Sequence, residues 1–439
     1  MRTVIWNQLT SLEKDALIRR PAVSASGSIK TTVDSIIADV RKRGDEALFA
    51  LSKHYDHADL SSLRINPSAI EDAYRQVGAD DVSAIRRAHT QILRFHERQL
   101  PEPFEFETSP GIICGRRAVP IERVGLYVPG GTAPLISTVL MLATPAQIAG
   151  CPTKVLVTPP GKDGRVNPFI IVAADLCGIN DIFALGGAQA IAALAYGTES
   201  VPKVDKIFGP GNSYVTAAKL AVSEDPEGAA IDMPAGPSEV LVVADDSSDA
   251  TFAAADLLSQ AEHGIDSQVM LVVTSRSVAQ NIEAEITSQL STLPRADIAR
   301  SALENSFIIL ADEEVTVLEI VNRYAPEHLI LLQRDARRFA NQVKNAGSIF
   351  IGPWAPESVG DYASGTNHVL PTYGYARNYS GLGTESFMKF ITYQELTPAG
   401  ILDIGPVVQA LSTLEGLHGH RNAVSVRLRR LLGGTNPCV

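Results

Sequence analysis

Three short stretches of this sequence carry residue types at spacings that can do chemistry. In Gln260-Ala261-Glu262-His263-Gly264, at the end of a predicted helix starting near Asp249, Gln260 and His263 stand three apart and share a face. An amide and an imidazole so placed can serve one cation, although a histidine beside a helix-ending glycine is also an ordinary partner for the helix dipole. Glu327 and His328 follow Pro326 at the start of a predicted strand, where an extended approach and a loop end would project both into a crevice. Their plainer reading is a solvated acid and a half-buried imidazole. Gly360-Asp361-Tyr362-Ala363-Ser364-Gly365-Thr366-Asn367-His368 adds a carboxylate and a further imidazole. One amide, one carboxylate and two imidazoles make a zinc donor set that leaves coordination room for substrate, unlike the all-oxygen cages of Mg²⁺ or Ca²⁺. Of the nine histidines, His263, His328, His368, His418 and His420 lie in this later part of the chain; His54, His57, His89 and His96 fall in helical context and read as surface residues.

Two glycine turns open helices. Leu126-Tyr127-Val128-Pro129-Gly130-Gly131-Thr132-Ala133-Pro134 leads from a strand into a helix predicted over 137–148, and such a turn lets backbone N–H groups approach a phosphate. G-x-G-x-x-G is absent, so a plain strand-to-helix turn explains it equally. Phe208-Gly209-Pro210-Gly211-Asn212-Ser213 repeats the theme, with Asn212 or Ser213 able to cap the next helix. The four cysteines, Cys114, Cys151, Cys177 and Cys438, form no C-x-x-C pair, which points away from a thiolate zinc site or a disulfide framework. A thiohemiacetal-forming aldehyde dehydrogenase would need an activated thiol, whereas Cys151 follows the Gly150 of a helix and Cys177 sits in the mostly apolar run 171–177, positions that suit packing. A two-lobed binding protein is the other rival. It leaves the Glu-His pair unexplained, and the first residues show no apolar export signal.

The elements that must position these residues alternate from Arg123 onward. Short β-branched runs at 124–128, 154–157, 182–185 and 206–208, and then at 240–244, 269–273, 307–310, 329–332 and 348–351, are separated by helical segments. That rhythm predicts an α/β protein with two doubly wound, Rossmann-like parallel-sheet domains in tandem. Residues 1–120 read as a mainly helical N-terminal segment, 121–236 as the first α/β domain, 237–380 as the second with the metal and catalytic residues, and 381–439 as a helical C-terminal arm for dimerisation. Within that arm Ile404, Val407, Val408, Leu411 and Leu414 form an apolar stripe in want of a partner. A net charge of −11 disfavours nucleic acid and anionic membranes, and no stretch approaches about 18 uninterrupted apolar residues, so a cytoplasmic enzyme is expected.

At these residues the chain resembles the histidinol dehydrogenase family, from Arg20-Pro21-Ala22 to Asn422-Ala423. The blocks 125–149, 203–212, 232–240, 259–263, 326–330 and 360–373 follow the family's order. The resemblance implies NAD and one zinc per subunit, with Gln260, His263 and Asp361 as ligands from one chain and His420 from its partner in a homodimer with shared active sites. It implies Glu327 and His328 as the acid–base pair, and Tyr127, Gln189 and Asn212 as NAD contacts. Ser238, His368 and Glu415 correspond to substrate contacts, beside the zinc ligands and His328. The expected reaction is a four-electron oxidation of L-histidinol to L-histidine through bound L-histidinaldehyde, using two NAD. The run Glu415-Gly416-Leu417-His418-Gly419-His420 carries an additional imidazole and two glycines, and the spacing to Asn422-Ala423 favours His420 as the ligand.

Overall fold

Strands buried on both faces of a parallel sheet read as unbroken apolar runs, and those runs form the sheets of this protein. The computed structural model describes residues 1–20, 27–130, 134–234 and 236–433. Pro21, Ala22, Gly131, Thr132, Ala133, Ala235 and Cys438 lie outside the described residues. The strands are β1 (Arg2–Ile5), β2 (Phe104–Ser109), β3 (Ile112–Pro120), β4 (Arg123–Tyr127), β5 (Thr153–Thr158), β6 (Asp181–Ala184), β7 (Lys206–Phe208), β8 (Ala230–Ile231), β9 (Glu239–Ala244), β10 (Gln268–Val273), β11 (Phe307–Leu310), β12 (His328–Leu332), β13 (Ser348–Ile351) and β14 (Met388–Leu396).

The chain divides into two compact units, Met1–Gln99 with Ile121–Phe387, and Leu100–Pro120 with Met388–Val439. The first holds both parallel sheets. One is five-stranded in the order β6-β5-β4-β7-β8, the other six-stranded in the order β1-β11-β10-β9-β12-β13. Counted from β4 in the first sheet and from β9 in the second, both run third-second-first-fourth-fifth, which is the doubly wound order with its reversal beside the first strand. Every residue of β9, β10 and β12 is buried. Val240, Val242, Leu271 and Ile330 face one layer of helices, while Leu241, Val243, Val272 and Leu331 face the other. No helix among the described residues is long and apolar enough to cross a membrane.

Residues up to 120 are less helical than the sequence predicts. The N-terminal residues form β1, which pairs in parallel with β11 at the edge of the second sheet. β2 and β3 pair antiparallel with each other, and β14 pairs antiparallel with β3, making the sheet of the second unit. The helix Gly27–Arg43 packs on Gly187–Tyr196 and Ser213–Glu224, covering one face of the first sheet. His96 also departs from expectation: it is fully buried, with Nδ1 2.8 Å from the Ile92 carbonyl and Nε2 3.3 Å from the Asn367 amide.

In the second unit the arm is two helices, Pro398–Leu414 and His418–Leu431, rather than one long helix. They pack where Gly405 meets Leu428. The break between them is Gly416, whose φ of 72° is left-handed, so one of the two glycines beside His418 and His420 ends a helix.

Candidate functional site

The first sheet gathers three of the candidate residues, Tyr127, Gln189 and Asn212, where its strands end. Tyr127 closes β4, and its buried hydroxyl accepts the Gly187 N–H at 3.2 Å. Burial pushes that phenol up to about 12, against the Gly187 hydrogen bond. Gln189, also buried, lies in the first turn of the helix opened by Gly187, and among the described residues its Nε2 has no hydrogen-bond partner. Asn212 follows β7 and caps the helix Ser213–Glu224, its Oδ1 accepting the N–H groups of Tyr214 and Val215 at 3.1 Å each. The capping reading is therefore realised, and the amide NH₂ remains a donor.

The turn before Asn212 is tightly held. Gly209 has φ of 123°, and a Cβ there would stand 2.1 Å from the Tyr127 carbonyl oxygen, so only glycine fits between the two strand ends. Its N–H donates to Asp232 at 2.8 Å and its carbonyl accepts from Lys219 Nζ at 2.8 Å. Lys219 and Asp232 are themselves an ion pair with both side chains buried. A cleft of about 1380 Å³ opens over the same edge, lined by Pro129, Gly130, Thr158 and Pro159 and by Arg64 and Arg165; Tyr127, Gln189 and Asn212 are not in its lining.

The second sheet does the reverse. Glu327 precedes β12 and His328 is its first residue, at the strand start that the sequence predicts, so both stand at the amino edge rather than in the crevice beyond the carboxyl ends that doubly wound sheets ordinarily use. Ser238 and Glu239 occupy the same edge at the start of β9. The helix Ala250–Ala261, begun by Asp249 as its cap, ends there with Gln260, and His263 follows. After β13 the chain folds back over Phe350, and a Cβ on Gly360 would stand 2.4 Å from that ring, so the absence of a side chain is what lets the helix Glu357–Tyr362 approach. It brings Glu357 and Asp361, one turn apart on one face, to His328.

His328 is the hub. Its Nδ1 is 3.2 Å from the Glu239 carbonyl, 3.6 Å from Glu327 and 3.9 Å from Glu357, and its Nε2 is 3.5 Å from Asp361. Burial opposes a charge on this ring, but Glu357, Glu327 and Asp361 together outweigh it and raise its pKa well above the ordinary value. Burial pushes both Glu327 and Glu357 up to about 8, with His328 pulling each back. Asp361 is lowered: burial would raise it, and the imidazoles of His328, His368 and His263 prevail. Burial lowers His263 and His368, which favours the neutral ring that can offer a lone pair to a metal.

One ligand atom each from His263, Glu357 and Asp361 lies within 4.8 Å of the others. Around them, among the described residues, Gln260 Oε1 and Nε2, His328 Nε2, Glu357 Oε2 and His368 Nε2 are buried with no hydrogen-bond partner. So many unpaired polar atoms at one point are costly in a folded chain, and a bound cation and a polar ligand would satisfy them. The donors therefore fit a zinc ion. Glu357 is not among the ligands expected from the sequence; its signal is a carboxylate four residues before Asp361. Glu415 and His420 belong to the second unit, where both are exposed beside the Gly416 break.

The thiols have no part in either constellation. Cys151 and Cys177 are buried in the first half, and burial pushes them up to about 11 and about 12.

Known proteins match nearly the whole chain. The family model described as histidinol dehydrogenase covers residues 18–428. A histidinol dehydrogenase of Vibrio vulnificus is 51% identical over 431 residues, 98% of this chain and 99% of its own length. One from Mannheimia succiniciproducens is also 51% identical over 431 residues, spanning 98% of this chain and all of its own. The crystal structure of a histidinol dehydrogenase from Elizabethkingia anophelis superposes with a TM-score of 0.95 at 46% identity, covering 98% of each chain.

Proposed function

This chain belongs to the histidinol dehydrogenase family, and from that premise we propose that it oxidises L-histidinol to L-histidine through bound L-histidinaldehyde, with NAD as acceptor in both steps. The observation that carries the reading is the Glu327-His328 pair at the same edge as a cluster of unpaired metal-type donors. NAD, held by Tyr127, Gln189 and Asn212, would supply the hydride acceptor for both steps. A zinc ion on Gln260, His263 and Asp361, completed by His420 of a second copy, would supply a fixed anchor for the substrate's imidazole and amine.

The chain's own groups then divide the proton work. The Glu239 carbonyl engages His328 Nδ1, and Nε2, once the proton that the surrounding carboxylates favour has left the ring, takes the hydroxyl proton in the alcohol step. An aldehyde has no such proton, and must add water before it can be oxidised. Glu327, as carboxylate, takes the proton of that water, and the hydrate then loses its second hydrogen to give the acid. Ser238, His368 and Glu415 would bind the substrate's polar groups. Tyr127, Gln189 and Asn212 would hold the nucleotide at the carboxyl edge of the first sheet, where two helices begin and favour phosphate.

A homodimer with shared sites, working in the cytoplasm, completes the proposal. Val407, Val408, Leu411 and Leu414 of the arm are exposed, which suits a stripe that another copy covers. The first test is stoichiometry: purified protein with L-histidinol should form two NADH per histidine. The second is mixing of Glu327→Gln with His420→Asn after verified subunit exchange. Shared sites predict recovery of about a quarter of wild-type activity, since half the dimers are mixed and each holds one intact site. Recovery no greater than the mean of the two variants would rule sharing out.

A further inference from the structure

Arg20 heads the stretch of sequence that resembles the family, yet no step above uses it. Its side chain is 7% exposed and that of Glu239 1%, so this is a buried ion pair. Nε donates to Glu239 Oε2 at 2.7 Å and Nη2 to Glu239 Oε1 at 2.6 Å, a two-pronged contact. The same guanidinium reaches the last turn of the helix Glu314–Tyr324: Nη1 donates to the Tyr324 carbonyl at 2.6 Å and Nη2 to the Ala325 carbonyl at 3.3 Å. It also lies over the Tyr324 ring, 3.6 Å from the centroid.

What Arg20 holds is what holds the acid–base pair. Glu239 Oε1 accepts the Glu327 N–H at 3.2 Å, the Glu239 N–H donates to Glu327 Oε2 at 2.9 Å, and the Glu239 carbonyl meets His328 Nδ1. Ala325, two residues before Glu327, has φ of 53°, a left-handed conformation that an alanine adopts only when its surroundings impose it. A buried ion pair is a poor way to gain stability, since well-packed apolar residues do as well or better. An apolar pair, however, cannot fix two helix-end carbonyls and accept the N–H of Glu327.

We propose that Arg20 and Glu239 are positioning residues for the reaction: the pair locks the turn Tyr324–Glu327 against β9, and so sets where the Glu327 carboxylate and the His328 ring stand relative to the substrate. The proposal rests on the reading of Glu327 and His328 as the acid–base pair.

The test compares Arg20→Met, Arg20→Lys and Glu239→Gln with wild type and Glu327→Gln. Thermal midpoint, zinc per chain, KM for L-histidinol and single-turnover rates on L-histidinol and L-histidinaldehyde are measured on each. Displacing reacting groups by an ångström costs about 10²-fold. A loss of that order in turnover is therefore expected for Arg20→Met and Glu239→Gln, with zinc content and KM within about twofold of wild type. Arg20→Lys should fall between, because an ammonium cannot reproduce the planar fork; if Arg20→Met does not fold, this variant decides. Wild-type turnover in a folded, zinc-loaded Arg20→Met or Arg20→Lys overturns the proposal. So does a turnover loss matched by loss of zinc or by a raised KM, the mark of a merely structural pair. An undiminished rate on both substrates in Glu327→Gln would instead overturn the acid–base reading, independently of what the Arg20 variants do.

Discussion

In the half built on β4 to β8 the candidate site residues gather where the strands end, and in the half built on β9 to β13 they gather where the strands begin. The winding order is the same in both, so topology does not choose the edge. Electrostatics offers a reason. At the carboxyl edge helices begin, and their free N–H groups favour an anion such as a pyrophosphate; at the amino edge helices end, and their carbonyls favour cations. Gly187 and Asn212 open helices at the first edge, whereas the helix Ala250–Ala261 ends at the second beside His263. Each edge is also braced by one buried ion pair, Lys219–Asp232 behind the Gly209 turn and Arg20–Glu239 behind Glu327. On the proposed reading, one doubly wound design thus yields a nucleotide edge and a metal edge.

The sharpest way to break this division is to empty the metal edge. Chelation should abolish turnover while NAD affinity, followed by NADH or protein fluorescence, stays within about twofold. Parallel loss of NAD binding would show that the two edges do not act separately. Next in size is the acid–base pair. His328→Asn should cost on the order of 10³-fold in histidinol oxidation, within the range of a lost general base. Glu327→Gln should impair histidinaldehyde oxidation by a comparable factor and histidinol oxidation much less. The sign of its pH dependence follows from burial, which raises Glu327 to about 8. The acting form is the carboxylate, so the aldehyde step should climb as pH rises towards 8 and level off above it. A flat profile between pH 6 and about 9 would remove Glu327 from the water-activating role.

Much of this division was legible in the sequence, and unevenly so. The β-branched runs located β4 to β7 and β9 to β13 to within a residue or two, because a strand covered on both faces must be apolar throughout. β2 (Phe-Glu-Phe-Glu-Thr-Ser) and β14 went unread since most of their residues are exposed and their mixed composition resembles a helix face. β1 was hidden because it is an edge strand whose first two residues, Arg2 and Thr3, are exposed. That Glu327 and His328 stand at the start of a strand was legible from Pro326 and the apolar run at 329–332, whereas the helix ends that meet them there are set by packing in space. Glu357 had a readable spacing to Asp361, but in a six-residue helix after Pro356 nothing marked that face as buried. His96 lies four residues beyond Ile92, on the face that Ile85 and Ile92 mark, so its burial could have been read from the apolar face.

A smaller effect is expected at the nucleotide edge. Removing Lys219 alone would strand the buried Asp232 carboxylate at a cost of about 3–5 kcal/mol, so the informative variant is Lys219→Met with Asp232→Asn. Loosening the Gly209 turn should raise KM for NAD about tenfold and leave saturated turnover and zinc content close to wild type. If turnover fell instead, with KM unchanged, the turn would belong to the chemistry and the contrast between the edges would weaken.

The smallest effect is expected from the thiols, and it bears on whether the first half only binds. Cys177 sits at the end of the helix Pro168–Leu176 with its sulfur 3.7 Å from Thr144 Oγ1, and Cys151 is 3.5 Å from the Phe387 carbonyl. With pKa values pushed up to about 12 and about 11 by burial, neither offers a thiolate at neutral pH, and a thiol without thiolate is a poor nucleophile towards an aldehyde. Changing either to Ala should cost about 1 kcal/mol through lost packing and leave both oxidation rates and the NADH yield as in wild type. Alkylating reagents should likewise leave the activity of the folded enzyme untouched. A folded, zinc-loaded Cys→Ala variant without histidinaldehyde oxidation would place a covalent nucleophile in the first half, and Glu327 would then be left to activate water for hydrolysis of a thioester rather than for hydration of the aldehyde.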